Sequence, residues 1–379
     1  MERETNIKKW LLGGVIVLLL LPMLQASLTL FELKPLSGAI EVVEKPTFTF
    51  SEWKKGTYQQ AYEKYMTANF GFRSTMIRIN NQKMYSLFSE AKANGVIIGK
   101  ENYLFEKNYL KATLGTDFIG EKAIQTQVDK LKQIQDTLQK LNKDILMVFA
   151  PGKATFFPEY MPEYCKKQQR PNTNYKSYLA AMQLAKINFV DFNRWFVQMK
   201  PTTKYPLYGK AGIHWSKYGE YLAADSLIKV VGKITKQPMT KLVLDNIEVK
   251  NENEQGDYDI GEGMNLLFPM NTYPMAYPKF HFQKQKLAAP KVLFVADSFY
   301  WGMFNAGFSK EVFGDGQFWF YNQEIYPDSY TSPKTVADIN IQEEVEKNEL
   351  VVLVCTDANL FKFAFGFIDQ LHAKYFPQK

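Results

Sequence analysis

The sequence contains few of the residues from which disulfide and metal sites are built. Its 379 residues include only 2 cysteines and 3 histidines. Two cysteines cannot form a disulfide framework, and their spacing is not that of a metal site. One disulfide between Cys165 and Cys355 is compatible with the sequence, but no pattern favours it. A glycine-rich phosphate loop is also absent, so we expect neither a metal nor a cofactor.

Dense charge of one sign is absent as well. The 46 basic residues exceed the 39 acidic residues, giving a formal charge of +7, yet they are scattered along the chain without a cluster. Scattered lysines and arginines indicate a solvated surface, so we expect no nucleic-acid partner. The composition is 46% hydrophobic and 15% aromatic, which is typical of a globular protein.

The N-terminal region contains one long apolar run. Residues 10–31 carry no charge, three basic residues precede them, and Glu32 and Lys34 follow. A run of this length can cross a bilayer, and the basic flank predicts a cytoplasmic N-terminus. We therefore expect a single-pass inner-membrane protein with the bulk of the chain in the periplasm. A cleaved signal peptide is the alternative, although Leu24 and Ala26 do not form an Ala-x-Ala cleavage site.

The rest of the chain divides into a short helical segment and a large α/β domain. We predict an anchor over residues 1–32, a tether and helical pair over 33–93, and the α/β domain over 94–379. The helical pair surrounds a turn at 69–73, and residues 95–106 read as a β-hairpin. Strands are predicted by the apolar runs at 144–150, 188–191, 292–295 and 350–355. Helical patterns between them indicate a parallel sheet with helices on both faces.

A serine follows one of these strands directly. The run 292–295 has no alternation, as expected of a buried parallel strand, and it stops at Ala296-Asp297-Ser298. Chemistry in such sheets lies past the carboxyl ends of the strands, and a serine needs a base to become a nucleophile. His214 precedes a helical pattern that Ser216 could cap. The other two histidines lie in less site-like contexts, so we pair His214 with Ser298.

Several motifs in order extend this interpretation to a family. The turn Asn69-Phe-Gly-Phe-Arg73, the segment 96–105, the loop 150–153, the segment 208–215 and the block 295–299 together resemble the alginate O-acetyltransferase family of the AlgJ/AlgX type. The resemblance implies an SGNH-hydrolase-like, DHHW-like domain. It also implies an Asp-His-Ser triad whose serine carries an acetyl group to a cell-surface polysaccharide. The donor in that family is usually a membrane acyltransferase of the MBOAT class.

The sequence departs from the family at the acid of the triad. The family's aspartate position, two residues before the histidine, is Gly212 here, and the glycine before Asp297 is Ala296. Asp191, at the carboxyl end of a predicted strand, is the first candidate to orient His214 instead. Asp257 and Asp259 are further candidates, and a backbone carbonyl is another.

Substrate contacts are expected from Lys153, Trp215 and Tyr300, and the backbone N–H of Ser298 or Phe299 would hold an oxyanion. The function expected from these residues is membrane-anchored, extracytoplasmic O-acetyl transfer. Ser298, His214 and Asp191 would be catalytic, and the acceptor would be a cell-envelope or exported polysaccharide. Two alternatives stay open: a degenerate glycan-binding or scaffold partner of a membrane acyltransferase, and a carbohydrate acetylesterase.

Overall fold

A computed structural model describes residues 2–38, 41–252, 256–285 and 288–377. Within these ranges the chain forms two compact units. The first comprises Met1–Asn94 and Gly261–Met270, and the second comprises Gly95–Ile260 and Asn271–Lys379. The segment Gly261–Met270 was expected within the α/β domain, but it packs with the N-terminal unit instead.

The first unit is helical. Its helices are α1 (Glu2–Leu28), α2 (Phe50–Lys55), α3 (Thr57–Ala68) and α4 (Arg73–Phe88). The predicted pair of helices around the turn at 69–73 is confirmed by α3 and α4. Among the described residues, one helical stretch, Asn6–Leu28, is long and apolar enough to cross a membrane.

Two buried polar side chains of α4 explain why a distant segment joins this unit. Arg78 Nη1 donates to the Leu266 carbonyl at 3.2 Å, and Asn81 Nδ2 donates to the Met264 carbonyl at 3.0 Å. A buried carbonyl without a hydrogen-bond partner costs free energy. These two bonds therefore hold the segment Gly261–Met270 against α4.

The second unit is built on a mixed sheet. The strands of the whole unit are β1 (Val96–Ile98), β2 (Leu104–Glu106), β3 (Asp144–Ala150), β4 (Phe189–Asp191), β5 (Lys241–Lys250), β6 (Met275–Gln283), β7 (Val292–Ala296), β8 (Phe318–Phe320), β9 (Glu324–Tyr326) and β10 (Leu350–Thr356). The central sheet has the order β4-β3-β10-β7-β8-β9. Its strands are parallel except for β9, which pairs antiparallel with β8 across a tight turn.

Helices cover this sheet. They are α5 (Lys107–Leu114), α6 (Glu121–Lys140), α7 (Lys153–Phe156), α8 (Asn174–Ala185), α9 (Phe192–Met199), α10 (Lys217–Thr235), α11 (Asp259–Gly263, which ends in the first unit), α12 (Trp301–Asn305), α13 (Phe308–Glu311), α14 (Ile341–Glu346) and α15 (Phe367–Tyr375). Alternate residues of β3, β7 and β10 form a core with α6, α8, α14 and α15. The intervening residues are also buried, and among them Phe294 stacks on Tyr300. Burial on both faces explains the uninterrupted apolar runs in the sequence.

The sequence patterns missed β8 and β9 at one edge of the central sheet, which are only three residues long each, and they also missed β5 and β6. Strands β5 and β6 form a separate antiparallel pair in which the first three residues of β6 are buried and the others are exposed or half-buried. A strand pair that buries little has no continuous apolar run to reveal it. The predicted hairpin of β1 and β2, in contrast, is confirmed.

Candidate active site

The turn after β7 is held by the buried carboxylate of Asp297. Its Oδ1 accepts from the backbone N–H of Phe299 at 3.1 Å, and its Oδ2 accepts from the backbone N–H of Thr356 at 2.8 Å and from Asn359 Nδ2 at 2.9 Å. Strand β10 is thereby tied to the first residues after β7. The turn that presents Ser298 is therefore fixed by hydrogen bonds from two strand ends.

His214 meets Ser298 from the loop before α10. Ser216 caps that helix, as predicted, because its hydroxyl accepts from the Gly219 N–H at 3.0 Å. The imidazole Nε2 lies 2.8 Å from Ser298 Oγ, and the ring packs on Phe299. The structure thus brings together the two residues that the sequence paired, at hydrogen-bond distance.

The other ring nitrogen of His214 is bound by Asp259. Asp259 Oδ2 lies 2.6 Å from Nδ1, and Oδ1 accepts from the Ile213 N–H at 2.8 Å. Burial lowers the pKa of His214, but the hydrogen bond and charge of Asp259 outweigh it, with help from Asp297 and Glu106, so the pKa is raised. One carboxylate therefore orients both the ring and the backbone beside it.

Asp191, the first candidate for this acid, is committed elsewhere. Its carboxylate accepts from the Tyr175 hydroxyl at 2.8 and 2.9 Å and from the Arg194 N–H at 2.9 Å, capping α9. The expectation that Asp191 orients His214 is corrected, since Asp259 occupies that position. An aspartate at a strand end is equally suited to cap the next helix, and here the cap prevails.

Gly212 explains how Asp259 reaches the histidine. A Cβ atom at Gly212 would lie 2.7 Å from the carbonyl oxygens of Gly256 and Asp257, and one at Gly209 would lie 2.4 Å from that of Asp257. Real Cβ atoms do not approach oxygen so closely. The missing side chain at Gly212 thus leaves room for the backbone of Gly256 and Asp257, and this segment leads to Asp259.

Lys153 does not face a substrate. Its side chain is fully buried, and Nζ donates to the carbonyls of Lys210 and Gly212 at 2.9 and 2.6 Å. Burial lowers its pKa to about 7, opposed by the charges of Asp259 and Glu106. The expectation of a substrate-binding lysine is corrected: Lys153 fastens the loop that carries His214.

Trp215 and Tyr300 are also buried rather than exposed to a ligand. Trp215 packs edge-on against Phe299 in the described structure, with 4% of its surface exposed. Tyr300 is 1% exposed, and its hydroxyl shares a hydrogen bond with Ser309 at 2.9 Å. Both aromatic side chains support the serine turn by packing, so their predicted role in substrate binding is corrected.

Two residues at the site were missed by the sequence patterns. The Tyr321 side chain lies close to Ser298 and Asn359, and burial together with the charge of Asp297 raises its pKa. The pKa of Glu106 is raised by burial and by the charge of Asp259. Neither residue stands in a recognisable motif. Tyr321 has a left-handed backbone (φ 50°), a conformation that is unusual for tyrosine and concentrated at functional sites.

The two cysteines are not bonded to each other. Cys165 and Cys355 are both buried and free, so the disulfide left open by the sequence is not formed. Across the described ranges, no cluster of three histidine, cysteine, aspartate or glutamate residues could hold a metal ion.

Comparison with known proteins finds one matching family model and similar curated proteins. Residues 96–262 match the family described as "SGNH hydrolase-like domain, acetyltransferase AlgX". The predicted family resemblance is confirmed. The chain is 23% identical over 182 residues to a probable alginate O-acetylase AlgJ of Pseudomonas putida, covering 47% of this chain and 44% of that protein. It is 24% identical over 211 residues to the Azotobacter vinelandii counterpart, covering 55% of this chain and 50% of that protein.

The chain thus spans about half the length of the curated relatives it matches. Solved structures are similar at lower sequence identity. The O-acetyltransferase domain of Pseudomonas putida AlgJ is 17% identical with a TM-score of 0.46, covering 74% of this chain and 99% of that one. Pseudomonas aeruginosa AlgX is 16% identical with a TM-score of 0.43, covering 73% and 67%.

Proposed function

We propose that this chain is a membrane-anchored, extracytoplasmic O-acetyltransferase that moves an acetyl group through an acetyl-serine to hydroxyls of a cell-envelope or exported polysaccharide. The observation that carries the proposal is the continuous relay from Ser298 through His214 to Asp259, with separations of 2.8 and 2.6 Å. The match of residues 96–262 to an acetyltransferase family supports acetyl as the transferred group.

Each side chain of the relay has one task. Ser298 Oγ attacks the acetyl carbonyl carbon of the donor while His214 Nε2 takes the hydroxyl proton. Collapse of the tetrahedral intermediate breaks the bond to the donor, and His214 returns the proton to the leaving group. A sugar hydroxyl then attacks the acetyl-serine, giving its proton to His214, and the ester forms on the sugar as Ser298 is released. Asp259 holds the ring with Nδ1 protonated and stabilises the imidazolium.

The developing oxyanion needs donors near Ser298. Of the two backbone N–H groups expected there, that of Phe299 already donates to Asp297. The Ser298 N–H is the remaining backbone candidate, and the Tyr321 hydroxyl, whose side chain lies close to Ser298, can add a second donor.

The cellular setting of the proposal rests on α1. The apolar stretch Asn6–Leu28 would anchor the chain in the inner membrane, and the basic residues before it favour a periplasmic second unit. An acetyl donor on that side has to be supplied across the membrane. An MBOAT-type membrane acyltransferase, the usual partner in the resembling family, fits this requirement.

The relay also supports a second candidate, a carbohydrate acetylesterase. The side chains of His214 and Asp259 are 27% and 28% exposed, so water can reach the triad. Transfer and hydrolysis share the acetyl-serine and differ in which hydroxyl resolves it. The scaffold alternative loses its main support, since it depended on a missing acid.

Acetylation of Ser298 tests the proposal. The full chain is given an activated acetyl ester, with and without an oligosaccharide acceptor, and acetyl on Ser298 is followed by mass spectrometry. Wild type is expected to become acetylated and to pass acetyl to the acceptor faster than to water. We expect His214→Ala to slow acetylation by about 10³-fold or more, because the serine loses its base.

The control variants are Ser298→Ala, which should take no acetyl, and His281→Ala, which removes an exposed histidine elsewhere and should behave like wild type. Equal acetyl release by wild type and Ser298→Ala would contradict the enzyme proposal. Faster release to water than to any sugar would favour the esterase.

A further inference from the structure

The turn between α3 and α4 is in contact with the apolar helix α1. A Cβ atom at Gly71 would lie 2.0 Å from the Pro22 carbonyl oxygen and 3.0 Å from the Ala26 nitrogen. The rings of Phe72 and Phe31 lie 6.0 Å apart. Only a glycine allows this approach, so the turn motif Asn69-Phe-Gly-Phe-Arg73 serves to seat the helical pair against α1.

The contact lies inside the apolar stretch and not beyond it. Asn6–Leu28 has 23 residues, about 34 Å at the α-helical rise, against a hydrocarbon core of about 30 Å. Pro22 is six residues before the end of this stretch, about 9 Å, and Ala26 is about 3 Å before it. Helices that lie in a membrane surface bury their apolar faces by about 5–10 Å. If α1 spans the bilayer, the turn beside Pro22 must therefore reach the level of the outer leaflet.

The side chains next to this turn suit such a position. An open groove of about 560 Å³ is lined by Met66 and Phe70 on one side and Met76 on the other. All three side chains are nearly half exposed, and Ile79 continues the exposed stripe one turn along α4. Arg73 also lines the groove, and its guanidinium can bind lipid phosphates. Soluble surfaces seldom gather apolar side chains in this way.

The neighbouring face of α3 is different in character. A second groove, which shares Thr67 and Arg73 with the first, is lined along α3 by Gln60, Glu63 and Lys64, and Lys64 pairs with Glu41 at 2.5 Å. The helical pair therefore has an apolar side and a charged side, as expected of an element that lies in a membrane surface.

We propose that the helical pair α3–α4 is a membrane-interface element whose groove at Met66, Phe70 and Met76 is filled by phospholipid acyl chains of the outer leaflet. This inference rests on the anchoring part of the proposed function and is independent of the acetyl chemistry. It assigns to the Gly71 turn the role of holding the helical pair at a set depth beside α1.

Spin labels on single added cysteines test the depth. The full chain is reconstituted in vesicles of phosphatidylethanolamine and phosphatidylglycerol, and each label is probed with oxygen, which concentrates in lipid, and with a water-soluble nickel complex. Labels replace the side chains in Met76→Cys and Ile79→Cys. Gln60→Cys is the matched control on the charged side, and Leu19→Cys reports the span itself. Both native thiols are buried with a raised pKa, so the unmodified chain serves as the labelling blank.

Labels at 19, 76 and 79 are expected to be several-fold more accessible to oxygen than to nickel, and the label at 60 should show the reverse. If 76 and 79 behave like 60 while 19 is in lipid, anchoring stands and the interface proposal is overturned. Immobile labels at 76 and 79 that neither reagent reaches would mean that a protein surface fills the groove, which also overturns it. A water-exposed label at 19 would refute the anchor and this proposal together, leaving the result for Ser298 acetylation unaffected.

Discussion

The second unit contains two histidine–aspartate pairs with similar geometry and different surroundings. His214 Nδ1 lies 2.6 Å from Asp259, and His281 Nδ1 lies 2.8 Å from Asp245. The first pair is 27% and 28% exposed, whereas the second is 58% and 49% exposed. Only in the first pair does the structure record a serine hydroxyl at the other ring nitrogen.

The difference shows that a hydrogen-bonded histidine–aspartate pair is not by itself an active site. His281 lies on β6, and Asp245 lies at an irregularity in the register of β5 that places its carboxylate beside the imidazole ring of His281. An exposed pair of this kind contributes little to stability, about 0–1 kcal/mol. Asp259, in contrast, holds a half-buried ring whose other nitrogen faces the hydroxyl of Ser298.

The largest effect should come from breaking the acid of each pair. Asp259→Asn is expected to lower the rate of Ser298 acetylation by up to about 10⁴-fold, as loss of the acid does in serine proteases, because an amide favours the wrong tautomer of the ring. Asp245→Asn should leave the rate within about twofold of wild type. Both rates are measured by mass spectrometry under single-turnover conditions, with thermal unfolding recorded beside them.

Asp191→Asn provides the decisive third variant. Because Asp191 caps α9, this change should lower stability by about 1 kcal/mol with little direct effect on the chemistry. A loss of acetylation in Asp191→Asn that exceeds the loss in Asp259→Asn would return the acid role to Asp191 and refute the geometry.

The same contrast explains what the sequence could predict. Ser298 and His214 were identifiable because each stands at a boundary that local patterns reveal, a strand end and a helix start. Asp259 lies 45 residues beyond His214, after β5 and a loop, and no periodicity connects the two. The burial of Lys153 was equally hidden, since lysine is seldom fully buried. Strands β3, β4, β7 and β10 of the central sheet were predicted, because three of them are buried on both faces and leave continuous apolar runs, whereas the three-residue strands β8 and β9 and the largely unburied pair β5 and β6 left no such run and were missed.

Lys153 gives a second way to sharpen the comparison, since it fixes the loop of one histidine only. Lys153→Met removes the donor to the carbonyls of Lys210 and Gly212, and unsatisfied buried carbonyls cost about 1–3 kcal/mol. We expect a lower unfolding temperature and an acetylation rate reduced by about tenfold, because the His214 loop loses its fastening.

Lys200→Met is the matched control for this change. Lys200 also donates to a backbone carbonyl, that of Phe156 at 2.7 Å, but it is partly exposed. It should cost less than about 1 kcal/mol and leave the acetylation rate near wild type. Equal losses of rate in the two lysine variants would show that Lys153 has no specific influence on His214.

The smallest effect is a shift in pH dependence. His214 acts as a base only when neutral, and its pKa is raised by Asp259 against the lowering effect of burial. The second-order rate of Ser298 acetylation should therefore fall as the pH drops through a value above 6.5, and in Asp259→Asn this acidic limb should move to lower pH because burial is then opposed only by the charges of Asp297 and Glu106. Asp245→Asn should leave the limb in place.

Lys153 has a pKa of about 7, so its titration falls in the same range, and the Lys153→Met variant separates the two groups. A limb that persists in Lys153→Met and moves in Asp259→Asn belongs to His214, whereas a limb that disappears in Lys153→Met would assign the pH dependence to the buried lysine.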